Sequence, residues 1–426
     1  MLFLLVTIAI HAAPGQALAP LGALYPELDA LYRELHATPE LSLQEVKTAA
    51  KLASRLKALG FKVTTGVGGN GVVGVLENGA GPTVMLRTDL DGLPIEEKTG
   101  LEYASKQTAK SKDGATVSVM HGCGHDVHMT SWIGAATLLA RAKMTWNGTL
   151  VMVGQPSEEM GNGAKAMLAD GLFTRFPKPD FAIAIHDTNE VPAGSMAWVP
   201  GYALANVDSV DVTVYGRGGH GAYPHKTIDP IVIASRIVVA LQTVVSREND
   251  PLDPAVVTVG SIHGGATYNV IPDEVKLQLT VRSYSPEVRE KLLASIGRIV
   301  RAEAAASNAP KEPLLTVERG PSATFNDPAL TKRIAAALAP VLGAVNVVEG
   351  KARMGAEDFS EYGRAGVPAA IFWVGAADPA KLAAAEKSGA SMPSLHSSSF
   401  APLREPTLRT GVLTLTGAAL ELLGKK

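Results

Sequence analysis

Residues 121–128, His121-Gly122-Cys123-Gly124-His125-Asp126-Val127-His128, bring a thiol, three imidazoles and a carboxylate into one short segment. Thiolate, imidazole and carboxylate together suit borderline first-row cations, Zn2+, Mn2+, Co2+ or Ni2+, and not Ca2+ or Mg2+. The glycines let the backbone turn tightly around an ion. Further along, Glu158 and Glu159 stand adjacent after Gln155-Pro156-Ser157. On an extended segment neighbours point to opposite sides, so one carboxylate can bind a cation while the other faces a substrate as a base. Two carboxylates aimed at one site repel and raise a pKa, and a nearby dication removes much of that cost.

The elements around these residues would bring them together. Apolar runs at 84–86, 149–153, 181–185 and 369–374 read as buried strands, with helices at 26–36, 42–59 and 130–142 between or before them. This alternation predicts an α/β fold with a mixed, largely parallel sheet flanked by helices. Ligands in such sheets collect beyond the carboxyl ends of the strands. Run 84–86 leads into Asp89 and Asp91, run 149–153 into Glu158 and Glu159, and run 181–185 into His186. The stretch 206–320 is patterned differently, with strands at 210–215, 256–262, 275–281 and 314–318 and helices at 229–245 and 286–306. That βαββαβ order is the ferredoxin-like module. It is expected as an insertion, dividing the chain into 20–205 plus 321–426 around 206–320. An edge strand of the module could pair with a second copy to make a homodimer.

Composition narrows the classes. With 39 Lys+Arg against 41 Asp+Glu, the net charge of −2 makes no electrostatic case for nucleic acid or an anionic membrane. A single cysteine excludes an intramolecular disulfide and a CxxC zinc module. The apolar run 2–10 and the Ala17-Leu18-Ala19 triplet read as a secretory signal over residues 1–19, giving a periplasmic or secreted protein; the alternative is a buried N-terminal helix in a cytoplasmic one. That run is too short to span a bilayer, and the mature form is expected off the membrane. Two stretches, 66–71 and 216–221, match G-x-G-x-x-G literally. A strand follows the first and Ala222-Tyr223-Pro224 the second, so neither opens a helix as a nucleotide loop must. Asp89 and Asp91 are expected to orient ligands, with Asp126 and His128 at most supporting groups. His11, His36, His225 and His263 are expected to be ordinary polar residues.

Three runs now carry a resemblance: 87–97 (Arg87-Thr88-Asp89-Leu90-Asp91-Gly92-Leu93-Pro94-Ile95-Glu96-Glu97), 123–128 and Pro156-Ser157-Glu158-Glu159. With Gly216–Gly221, Asn269-Val270-Ile271-Pro272, 354–359 and Leu395-His396-Ser397, the sequence resembles the M20 metallopeptidase family. It is most similar to the N-acyl-amino-acid amidohydrolase branch, which includes hippurate and auxin-conjugate hydrolases. The resemblance implies two divalent ions per subunit, of unspecified identity, held by Cys123, His125, Glu159, His186 and His396. It implies Glu158 as general base, and a lid and dimerisation domain at 206–320 whose His220 and Asn269 reach toward the substrate. The expected reaction is hydrolysis of the amide bond of an N-acyl amino acid by metal-activated water. A dipeptidase or carboxypeptidase on the same machinery, or a catalytically silent binding protein, are the alternatives. The family often has proline two residues after the last histidine; here that position is Ser398.

Overall fold

The structure, a computed structural model, describes residues 17–425. His11 and the apolar run of the expected signal lie outside the described residues. The chain forms two compact units: one comprises the residues up to Gly201, Phe325–Lys351 and Glu361 onward, the other Tyr202–Thr324 and Ala352–Ser360. The second unit thus takes in a short stretch, Ala352–Ser360, that lies beyond the module boundary read from the sequence.

The first unit is built on an eight-stranded sheet. In chain order its elements are α1 (Leu21–Ala37), α2 (Val46–Ala58), β1 (Lys62–Val67), β2 (Gly71–Asn78), β3 (Thr83–Asp89) and α3 (His125–Arg141). They continue with β4 (Gly148–Gln155), β5 (Phe181–Pro192), β6 (Met196–Trp198), α4 (Pro328–Leu342), β7 (Val347–Glu349), β8 (Ala369–Ala377) and α5 (Arg404–Leu423). The strand order is β1-β2-β4-β3-β5-β8-β6-β7. The centre, β4-β3-β5-β8, is parallel throughout, while β1, β2 and the β8–β6 pair are antiparallel. This is the expected mixed, largely parallel sheet. Its central strands are apolar on both faces because helices cover both. Leu86, Met152, Ile183 and Phe372 share one core with Leu52 and Leu56 of α2, Trp132 of α3 and Leu415 of α5. Each such side chain contributes about 1.5–3 kcal/mol when fully buried. The glycine run at 66–71 forms the β1–β2 turn, with Gly66, Gly68 and Gly69 at positive φ.

Two local expectations are corrected. The sequence starts α3 at 130, but it begins at His125, so His125 and His128 lie in its first turn. Residues 125–139 are buried all round, which leaves no amphipathic period to mark the start. Gly124 sets that start: its φ is +74°, and a Cβ there would lie 2.3 Å from the Asp187 carboxylate oxygens. The Glu158-Glu159 pair is not extended either. Strand β4 stops at Gln155, Ser157 has φ +54°, and 158–161 is a turn.

In the second unit, the four strands Ala255–His263, Glu274–Ser283, Asn206–Tyr215 and Leu314–Arg319 lie in that order, all antiparallel. With helices Pro230–Thr243 and Pro286–Ala306 this is the βαββαβ module. The stretch Pro230–Glu248 is the one helix among the described residues long and apolar enough to cross a membrane, by length and composition only. Its Ile233, Ala234, Ile237 and Leu241 are buried in the unit's own core.

Candidate metal centre

Parallel register sets the donors of the first unit side by side. Asp89 is level with Gln155, and Arg87 pairs with Ala184, which puts His186 two residues further along the next strand at the level of Asp89. The first turn of α3 adds His125, the turn before it Cys123, and the turn after β4 adds Glu158 and Glu159. His396 comes from the far end of the chain, at φ +63°, and its backbone N–H donates to the Gly122 carbonyl at 2.8 Å.

These six side chains form one cluster. His396 Nε2 lies 3.1 Å and His186 Nε2 3.5 Å from Cys123 Sγ. His125 Nε2 is 3.7 Å from Glu158 Oε2 and 3.8 Å from Glu159 Oε1, while Glu159 Oε2 is 3.5 Å from His396 Nε2. Both glutamates therefore approach the same imidazole, contrary to the opposite-sides expectation, because they sit on a turn. His220 and Asn269 belong to the second unit. There Gly219–His220 pairs with Val270–Ile271, and both His220 and Asn269 are exposed. His220 Nδ1 accepts the Ala222 N–H at 3.0 Å, which assigns its proton to Nε2.

Hydrogen bonds to main-chain carbonyls also decide which nitrogen of the buried histidines is available. His125 Nδ1 donates to the Asp91 carbonyl at 2.7 Å and His186 Nδ1 to the Asp187 carbonyl at 2.8 Å. A carbonyl only accepts, so the protons sit on Nδ1 and both Nε2 lone pairs point into the cluster. His125 Nε2 and Glu159 Oε1 are buried with no hydrogen-bond partner. Burial raises the Glu159 carboxyl to about 7 and pushes the Cys123 thiol well above its usual value. Burial holds His186 well below the usual imidazole range. Orphaned lone pairs and anionic groups forced toward neutrality are what a bound dication would reverse, so the thiolate–imidazole–carboxylate set fits a borderline divalent ion.

Asp91 supports this set as expected, whereas Asp89 is hydrogen-bonded to His128 and not to one of the five expected ligands. The Asp91 carboxylate accepts the Ser42 hydroxyl at 2.6 Å and the backbone N–H groups of Glu158 and Glu159 at 3.2 and 3.0 Å. Asp89 accepts from His128 Nδ1 at 2.8 Å, and His128 Nε2 accepts the Asp187 N–H at 2.9 Å. Beyond the turn, Gly163 permits a close pass: a Cβ there would meet the Pro156 carbonyl at 1.6 Å. His36 is not the ordinary polar residue expected. It is buried between Asp126 Oδ2 at 2.6 Å and Glu97 Oε1 at 3.0 Å, and so ties α1 to the first turn of α3. Neither partner is near it in sequence, so spacing carries no signal.

Comparison with known proteins places this geometry. The model of peptidase family M20/M25/M40 matches residues 85–395. A hippurate hydrolase from Campylobacter jejuni is 40% identical over 286 residues, 66% of this chain and 71% of that protein. Thermostable carboxypeptidase 1 from Saccharolobus solfataricus is 36% identical over 385 residues, 89% of this chain and 91% of the relative. A Bacillus subtilis structure described as a dinuclear metal binding peptidase from the M20 family superposes with a TM-score of 0.76. It is 26% identical and covers 94% of this chain and 100% of its own.

The His36 cluster makes a pH prediction. Burial disfavours charge on His36, but Asp126 and Glu97 outweigh it and raise its pKa to about 10 from an ordinary 6.5. A raised pKa stabilises fully below the unfolded value and is lost as pH climbs through the folded one, at about 1.4 kcal/mol for each pH step between the two. The melting temperature should therefore fall between about pH 6.5 and 10, and His36→Asn should flatten the curve in that window. Equal slopes for the two proteins in a pH series of thermal melts would refute the charged triad.

Proposed function

The chain belongs to peptidase family M20/M25/M40 and is a hydrolase of amide bonds; from that premise we propose that it cleaves N-acyl amino acids of the hippurate kind with Glu158 as general base. The observation that carries this reading is the cluster of buried Cys123 and His125, half-buried Glu159 and His186 and the more exposed His396, with Glu158 beside it. These five would hold two divalent ions, of the Zn2+, Mn2+, Co2+ or Ni2+ kind, which when bound acidify water and polarise an amide carbonyl.

The chain's own groups supply the rest. Glu158, held by its backbone N–H on Asp91, takes the proton from the attacking water and returns it to the leaving amine. Cys123 would join the set as a thiolate, its bond to a cation offsetting the effect of burial on its thiol. His220, with its proton on Nε2, has a donor suited to a developing oxyanion, and Asn269 offers an amide for the substrate's polar end. A second reading, peptide or carboxypeptidase activity on the same machinery, is favoured by the likeness to thermostable carboxypeptidase 1. Two further proposals concern the whole protein. Export of the mature chain rests on residues 1–19, and the N-terminal residue of protein recovered from the periplasm or medium would decide it. A homodimer is supported by the edge strand Ala255–His263 and by Ile231, Val232 and Val239 exposed on the outer face of helix Pro230–Thr243.

Three measurements test these readings. Glu158→Gln should keep its metal and lose turnover by about 100-fold or more, whereas Cys123→Ala should lower metal content and activity together. A metal-free Glu158→Gln protein by elemental analysis would reverse the division of labour between the two glutamates. In a panel of benzoyl-, acetyl- and lauroyl-amino acids against unblocked dipeptides, the capped substrates should be cut. Cleavage of free-amino dipeptides alone would establish the peptidase reading instead. Light scattering behind size exclusion should give twice the chain mass; a strict monomer removes the dimer.

A further inference from the structure

The turn that carries Glu158 and Glu159 begins at Ser157, whose φ of +54° is a left-handed conformation that residues with a Cβ avoid. Another non-glycine residue in that region, Leu43 at φ +68°, lies against it. The Leu43 N–H donates to Ser157 Oγ at 3.0 Å. The Ser157 N–H donates to Glu45 Oε1 at 2.8 Å, and its hydroxyl lies 3.4 Å from the same oxygen. Asn70 closes the arrangement by donating from Nδ2 to Glu45 Oε2 and to the Leu43 carbonyl, both at 3.0 Å.

Glu45 stands at the N-cap of α2, yet its side chain does not cap that helix. Glu40 does so, accepting the Thr48 N–H at 2.8 Å and the Lys47 N–H at 3.3 Å. Glu45 is thereby free to turn the other way, and it is fully buried. With Asp91 on Glu158 and Glu159, three consecutive backbone N–H groups, 157 to 159, end on two buried carboxylates. A strained backbone persists only where its surroundings over-determine it, and residues 42–45 supply that constraint from outside every motif of the site.

We propose that Glu45 is a positioning residue for the hydrolytic centre: it holds Ser157 left-handed and so aims Glu158 and Glu159 at the donor cluster. This rests on the assignment of Glu159 as a metal ligand and Glu158 as base. Substitution should therefore act on metal affinity and turnover together, leaving substrate binding nearly unchanged.

The test uses Glu45→Ala and Glu45→Gln in the full chain. Zn2+ affinity of metal-stripped protein is read by chelator competition, kcat and KM on hippurate after reloading, and unfolding temperature without metal. Glu45→Ala should lose about 10- to 100-fold in Zn2+ affinity and in kcat, with KM within about twofold. Glu45→Gln, which keeps one acceptor but puts an amide where a second is needed, should lose less. Leu56→Ala, roughly three turns along the same helix, should lower the unfolding temperature while keeping parental Zn2+ affinity. Parental affinity in both Glu45 variants, or an equal loss in Leu56→Ala, overturns the proposal. If Glu45→Ala does not fold, Glu45→Gln decides. If the parent does not cut hippurate, the substrate reading fails on its own and the Zn2+ arm still decides for Glu45.

Discussion

A buried imidazole tied at one nitrogen to a main-chain carbonyl is the contact on which the centre turns. His125 Nδ1 on the Asp91 carbonyl leaves Nε2 facing two carboxylates and no hydrogen-bond partner. In a water-poor interior such lone pairs and carboxylates are costly unless something compensates them. The fold keeps them in place because each is anchored through backbone to an element that packs in the core. The same carbonyl logic governs His186, and the Asp91 side chain extends it to both glutamates.

Local strain collects where this anchoring is needed. Of the non-glycine residues with positive φ among those described, Ser157 directly precedes the glutamate pair and His396 is itself a donor. Conformations of this kind cost about 1–3 kcal/mol each and last only when packing and hydrogen bonds over-determine them. Gly124 and Gly163 serve the same end by another route, removing a Cβ where Asp187 and the Pro156 carbonyl pass too close for one. Rigid parallel strands position the loops, and short constrained turns then aim individual side chains.

Much of this is legible in the residue order. Buried apolar runs at 84–86, 149–153, 181–185 and 369–374 are the four central parallel strands, since strands covered on both faces leave uninterrupted apolar stretches. The βαββαβ order of the second unit is equally plain because its strands alternate and its helices are amphipathic. The start of α3 is not, because a helix buried on all sides has no period to read. The Glu158-Glu159 turn escapes a reading by residue type because a left-handed serine has no signature in composition. His36 and Glu45 escape it because their partners are distant in the chain.

The donor inventory, its chemical softness and the α/β framework are properties of residue type and local period, and the amino-acid sequence sets them without further help. Cys123, His125, Glu158, Glu159 and His186 can be named from it, and His396 from the family resemblance its motif carries. Their convergence in one cluster, the nitrogen each histidine offers and the direction of each carboxylate depend on strand register, backbone φ and hydrogen bonds between residues far apart in the chain. Those quantities are fixed only when the core closes, because a lone pair acquires a direction from what its side chain packs against and not from its place in the chain.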